Sequence, residues 1–284
     1  KEPKTDFEPE YVAISAHSKT AWVGLQEANA FAKIDIAAGK LLGILPLGVK
    51  DHSKPGNGFD PHDKDSAIDI APVPSRGLYM PDAIAAFTVK GATYIISANE
   101  GDARKEDERV EKAKLDAKAL DDAQSKRLER LKISTIDGDT DGDGDIDQLH
   151  TYGARSFTIW DANGKLVYDS GDQIERITAD RLGNNFNNNN DENKGDSRSD
   201  DKGPEPEGVD VGVIGGRTYA FIGLERTGGV MVFDITNPAA PSFAAYENNR
   251  TFFSSFDFSL KSALAAVGDL GPEGVRFIPA DVNP

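Results

Sequence analysis

Apolar and polar positions alternate in short runs along this chain, and the runs come in groups that repeat. Residues 204–226, PEPEGVDVGVIGGRTYAFIGLER, hold an alternating strand, a Gly-Gly-Arg turn and a second apolar strand ending at Leu-Glu-Arg. A period of two over such lengths marks half-buried β-strands. The same order recurs in 9–27 (PEYVAISAHSKTAWVGLQE) and 81–100 (PDAIAAFTVKGATYIISANE), and starts again at 272–278 (PEGVRFI). Each full copy opens on Pro and an acid and closes its second strand on Glu. The two acids are 17, 18 and 18 residues apart, as Glu10/Glu27, Asp82/Glu100 and Glu207/Glu225.

Every copy is followed by a further strand pair. AFAKIDIAAGKLLGILPLG follows Glu27 around an Ala-Gly turn, and GGVMVFDITNPAAPSFAAYE follows Glu225 around Asn-Pro. In the middle copy the pair comes late, as SFTIWDANGKLVYDSGD (156–172) around Asn163-Gly164. Four short strands per repeat predict an all-β chain, a β-propeller of four-stranded blades. A β-sandwich would not need to return the same acid to the same offset.

In a blade, strand one lines the channel and antiparallel strand two returns to the face where the chain entered. Both acids of each copy then converge on one channel mouth. The expected ring is Glu10, Glu27, Asp82, Glu100, Asp102, Glu207, Glu225 and Glu273. The plainer reading is that Pro-Glu-Gly fixes a turn and the Glu ends a strand. Clustered carboxylates repel unless a cation lies between them, which favours a functional mouth.

Within the single domain spanning 1–284, insertions at 49–80, 101–155 and 173–203 interrupt the repeat and should emerge on the acid-lined face. Residues 105–131 have helix-forming composition without Gly or Pro, so an exposed helix is expected there, with Val110, Leu128 and Leu131 as a thin apolar face. The asparagine run 184–190 receives no role. Next to the expected helix lies DGDTDGDGDIDQLH (137–150). Alternating Asp with Gly supplies oxygen ligands on a tightly turning loop, which suits Ca2+. The register resembles an EF-hand loop: Asp139, Asp141, Asp143, Asp145 by its carbonyl, and Asp147, with Asp137 spare. His150 stands where the bidentate Glu should be.

Composition narrows the partners. The formal charge of −16 disfavours nucleic acid and favours divalent cations. There is no cysteine, so thiolate metal sites and disulfides are excluded. No apolar run reaches membrane-span length. The first residue is Lys rather than Met, which reads as a processed or trimmed chain.

The motifs KDHSKPGNGFD, SANEGDAR, DTDGDGDIDQL, GARSFTIWDANG, FNNNNDEN, RSDDKGPEPEG, TYAFIGLER and GGVMVFDI occur in order and resemble the choice-of-anchor I family. That resemblance implies exported bacterial propeller domains, related to a mesenchyme-specific cell-surface glycoprotein and to an atypical cyanobacterial alkaline phosphatase. It implies seven blades, of which this chain holds three and the start of a fourth, and an extracellular or periplasmic setting. It brings no catalytic residues with it.

Three functions compete on this reading. One is a metal-dependent phosphoester hydrolase, with Glu207, Glu225, Arg155, Arg226 and His52 as catalytic candidates. Its second divalent metal would sit at the mouth on Asp82, Glu100 and Asp102, and Arg104 and Arg198 would reach the same face. His62 is a further candidate for metal or proton chemistry. The others are a calcium-stabilised surface or adhesion module without catalysis, and a propeller lactonase or esterase. No nucleophile elbow, Walker loop or HExxH motif is present.

Overall fold

The computed structural model describes residues 7–103, 105–252 and 266–282. The first sheet is a meander of β1 (Pro9–Ile14), β2 (Thr20–Leu25), β3 (Ala30–Asp35) and β4 (Lys40–Pro46). β5 (Val49–Asp51) and β6 (Ser75–Leu78) follow, then β7 (Ile84–Val89) and β8 (Ala92–Ala98). The next region holds β9 (Asp107–Arg109), α1 (Asp122–Leu128), β10 (Lys132–Ser134) and β11 (Leu149–Tyr152). β12 (Phe157–Asp161) and β13 (Leu166–Asp169) then complete a second four-stranded antiparallel sheet with β8 and β7. After α2 (Gln173–Leu182) comes the third, a meander of β14 (Pro206–Ile214), β15 (Arg217–Leu224), β16 (Val230–Asp234) and β17 (Ser242–Glu247). The late strand pair expected for the middle copy is therefore the one that joins it.

Turn chemistry sets the hairpins. Gly215 and Gly216 both take positive φ (57° and 79°), as do Lys90 and Gly91 (50° and 82°). Two successive left-handed residues match the twist of the flanking strands.

The alternation seen in sequence sorts the core. In the second sheet Ile84, Ile95 and Trp160 pack with Trp22 and Phe31 of the first sheet. Phe87, Ile96, Phe157 and Ile159 face the third sheet, where they meet Ile222, Met231 and Phe233. Adjacent residues thus bury opposite faces of one sheet, and β7 lies against both β1 and β14.

Three expectations need correction. Residues 105–131 are not one helix: β9 near their start pairs antiparallel with β10 just past their end, and only 122–128 is helical. An Asp121–Gln124 capping box starts that helix. Val110, Leu128 and Leu131 are no thin surface stripe, because they join Phe59, Val73, Ile133, Ile146 and Leu149 in a satellite core. Burial of these side chains against 59–73 outweighs local helix propensity. The segment 173–203, expected as loop, contains α2, which buries Ile174, Glu175 and Thr178. Finally, 272–278 forms no strand. It lies against β14 and β15, with Phe277 N donating to Asp210 Oδ2 (2.9 Å) and the Phe277 ring stacked on Phe221.

Candidate functional site

The repeated Pro-acid step has a repeated geometry. Pro9 is in register with Leu25 and Pro206 with Leu224, and an irregularity of register follows each proline. Such bulges re-aim neighbouring side chains. In the middle copy Asp82 N bonds Ala98 O and Ala98 N bonds Ala83 O, bringing the same ends together. Burial, and then the charges of the opening acids of all four copies, Asp82, Glu207, Glu10 and Glu273, raise the pKa of the Tyr11 phenol, so all four act on one side chain.

The closing acids meet beside them. One carboxylate oxygen each from Glu100, Glu205 and Glu225 lie within 4.8 Å of one another. Glu205 stands between two prolines with φ 52°, a left-handed strain of the kind that collects at functional sites. It is fully buried and was missed in the sequence, although PEPEG places it only two residues before Glu207.

Internal cations hold this cluster. Lys202 Nζ donates to Glu100 Oε1 (2.5 Å) and Gly101 O (2.7 Å) and forms an ion pair with Glu205 Oε2 (2.9 Å). Arg198 Nε donates to Glu205 Oε1 (3.0 Å), and Arg226 pairs with Glu205 (3.3 Å) and Glu225 (3.0 Å). Gln26 Nε2 donates to Glu100 Oε2 (3.0 Å). Burial opposes ionisation of Glu205, but Lys202, Arg198 and Arg226 outweigh it and bring its pKa down to about 2.

The other acids go the opposite way. Burial, then the hydrogen bond and charge of Glu225, push Glu207 up to about 9. Burial pushes Glu100 to about 7 against the pull of Lys202, and Asp82 to about 6. Glu27 also rises to about 7, through burial and then the nearby Glu8 and Asp102 charges, so Asp102 lies beside Glu27. Five carboxyl groups (Asp82, Glu100, Glu205, Glu207, Glu225) face three cations (Arg198, Lys202, Arg226), an excess of acids that the raised pKa of Glu207 relieves by protonation.

This excess makes a pH prediction. Glu207 has a folded pKa above its unfolded value, so between about 4.5 and about 9 the folded state binds more protons. Stability must then fall as pH rises through that window. Urea midpoints of metal-free protein are expected to decline with pH, and Glu207→Gln to flatten the decline. An unchanged slope in the variant would show that Glu207 is not the proton carrier.

The aspartate loop forms a second acidic site. Oxygens of Asp139, Asp141 and Asp147 approach within 4.8 Å, as do those of Asp116, Asp145 and Asp147. Asp139 accepts from Gly142 N (2.7 Å) and Gly144 N (3.0 Å), which winds the turn. Asp116 was not foreseen. It arrives because Leu115 and Ile146 form a parallel bridge, with Asp116 N bonded to Ile146 O (3.1 Å). Asp143 and Asp137 stand outside both groups: Asp143 accepts from Asp145 N, and Asp137 from Ser134 Oγ. The donor set is all oxygen, and Asp145 Oδ1 is buried without a partner, so these residues fit a hard cation.

Two catalytic candidates lie elsewhere. His52 is buried, with Nδ1 against Asn57 O (2.6 Å) and its ring edge-on to Phe59. Burial first, then the Lys50 charge, drive its pKa well below the ordinary histidine value, so the ring is neutral framework. Arg155 is enclosed behind the 199–203 turn, paired with Glu175 (2.6 Å) rather than with the mouth. His62 lies near Glu129 (3.7 Å) and Asp65. Arg104 lies outside the described residues. Among those described, no helix is long and apolar enough to cross a membrane.

Antiparallel four-stranded sheets whose strand ends gather carboxylates define this as an all-β protein with an acid-lined edge. The chain belongs to the choice-of-anchor I domain family, whose model matches residues 1–238. It is 28% identical over 165 residues to Gigasin-3a of Magallana gigas, covering 55% of this chain and 57% of that protein. It is 25% identical over 280 residues to the mesenchyme-specific cell surface glycoprotein of Strongylocentrotus purpuratus, covering 81% of this chain and 35% of the glycoprotein. The chain thus spans about half the length of the first relative and a third of the second.

Proposed function

We propose that this chain is part of an exported cell-surface module: a propeller segment whose inserted loops are stiffened by Ca2+ and whose acidic mouth is neutralised from within. The family and the cell-surface glycoprotein among its relatives support the location. The blade reading is supported by β7 lying against both β1 and β14, and by the two apolar layers between the three sheets. The observation that carries the non-catalytic reading is Lys202. Its ammonium occupies the position between Glu100 and Glu205 where a metal would sit. Arg198 and Arg226, both expected at the mouth, are likewise engaged by Glu205.

One observation favours hydrolysis of a phosphoester, or of a lactone or other ester. Glu207, held up to about 9 by burial and then by Glu225, is a protonated acid at neutral pH, a form able to give a proton to a leaving group. A divalent ion at the mouth would supply a water of lowered pKa. The test is a panel of phosphomonoesters, phosphodiesters and lactones with calcium-loaded protein. No turnover is expected. Turnover abolished by Glu207→Gln would replace the surface-module reading with an enzyme.

A further inference from the structure

The chain contains one Asp-Pro step, Asp60-Pro61, and the function argued above gives it no role. Both residues are buried, Asp60 completely. The proline nitrogen is a tertiary amide, more basic than other peptide nitrogens, and it leaves as a secondary amine. Two backbone donors fix the Asp60 carboxyl against this bond. Oδ1 accepts from His62 N (3.3 Å), the N–H two residues on, which lays the carboxyl along the 60–61 peptide. Oδ2 accepts from Asp69 N (3.1 Å).

The rest of the peptide unit is held as firmly. Arg155 Nη1 donates to the Asp60 carbonyl oxygen (3.1 Å), and its guanidinium is stacked on Phe59. Glu175 Oε2 accepts from Asp60 N (2.9 Å), and Phe59 N donates to Ala71 O (3.2 Å). A cationic donor aimed at a carbonyl oxygen stabilises the negative charge that gathers there when the carbon is attacked.

We propose that the Asp60 carboxyl cleaves its own peptide bond to Pro61. A side-chain oxygen of Asp60 attacks the carbonyl carbon of the same residue, and the carbonyl oxygen takes up the charge against Arg155. The carboxyl proton passes to Pro61 N, the C–N bond breaks, and Pro61 becomes a new amino terminus. Asp60 is left as a cyclic anhydride, which one water opens to two carboxyl groups. The attack is intramolecular, so burial of the site does not prevent it.

The proton is available near neutrality. Burial first, and then the Glu175 and Asp196 charges that face it, push the Asp60 pKa up to about 7 against the N–H donors of Asp69 and His62. The positive charge of Arg155 is shared with Glu175 (2.6 Å), and the His62 ring turns to Glu129 (3.7 Å) and Asp65 (4.0 Å). The cut halves stay together, because β5 pairs with β6 and the first sheet packs on the second. The nick therefore shows only after unfolding.

The unaltered protein supplies the main test. Folded protein is held at about pH 6, where this carboxyl is mostly protonated and an ordinary aspartate is ionised. It is expected to give fragments ending at Asp60 and starting at Pro61, which mass spectrometry in denaturant reads as two masses summing to the chain plus one water. The same protein in urea at that pH is expected to stay whole. The rate is expected to level off below about pH 7 and to fall about tenfold per unit above it. Pro61→Ala is expected to abolish the fragments while the circular-dichroism spectrum stays unchanged. In heavy-oxygen water the label should reach the side-chain carboxyl of Asp60 as well as its α-carboxyl, which direct attack by water cannot do. An uncut folded chain, equal cutting in urea, or label on the α-carboxyl alone would overturn the proposal.

Discussion

Arg155→Ala is expected to cost about 3–5 kcal/mol, the loss seen when one partner of a buried ion pair is removed. That is a large part of the roughly 5–15 kcal/mol that holds a domain together. The side chain is 5% exposed and that of its partner Glu175 is 1%. Nη1 also donates to Asp60 O (3.1 Å), Nη2 donates to Ser199 O and Asp201 O (2.7 Å each), and the guanidinium stacks on Phe59. Alanine would strand the Glu175 charge and three carbonyls together. Arg155→Lys should rescue little, since an ammonium cannot reproduce the planar fork. Residues 199 and 201 lead directly into Lys202, so loosening Arg155 also loosens the cations of the mouth. Urea unfolding measures the loss, and hydrogen exchange of 198–205 locates it. A variant within about 1 kcal/mol of the parent would mean that water replaces the guanidinium at little cost.

Calcium removal is the second large effect. A ligand bound only by the folded state stabilises it by mass action, about 2.7 kcal/mol at a hundred times its Kd. Chelation is expected to lower the melting temperature, and restored Ca2+ to recover it. Asp139→Asn with Asp141→Asn should remove most of that response, because both carboxylates group with Asp147. The Leu115–Ile146 bridge carries the effect into the satellite core through Ile146. Scanning calorimetry with and without a strong chelator reads the shift. No shift, once metal analysis shows the ion is gone, would remove calcium from this account.

The sequence alone determined what depends on neighbours in the chain. Period-two alternation marked the strands of the three large sheets, and Gly215-Gly216 and Asn163-Gly164 marked turns, because pleat and turn geometry act over a few residues. The repeated Pro-acid step announced the gathering of Asp82, Glu207 and Glu225, since identical local geometry recurs in each copy. The tight winding of the aspartate loop was legible as well, because Asp139 accepts from Gly142 N and Gly144 N a few residues away. Tertiary structure decided the rest. Val110, Leu128 and Leu131 looked like a thin helix face because their partners at 59 and 73 lie some fifty residues away. His52 and Arg155 have the side chains of catalytic groups, and only burial against Phe59 and Glu175 makes them framework. Lys202 and Glu205 lie three residues apart, and nothing local in the chain pairs them with Glu100. Folding places Glu100 against them from 102 residues away, and that contact turns a metal-like cluster of acids into one closed by its own lysine.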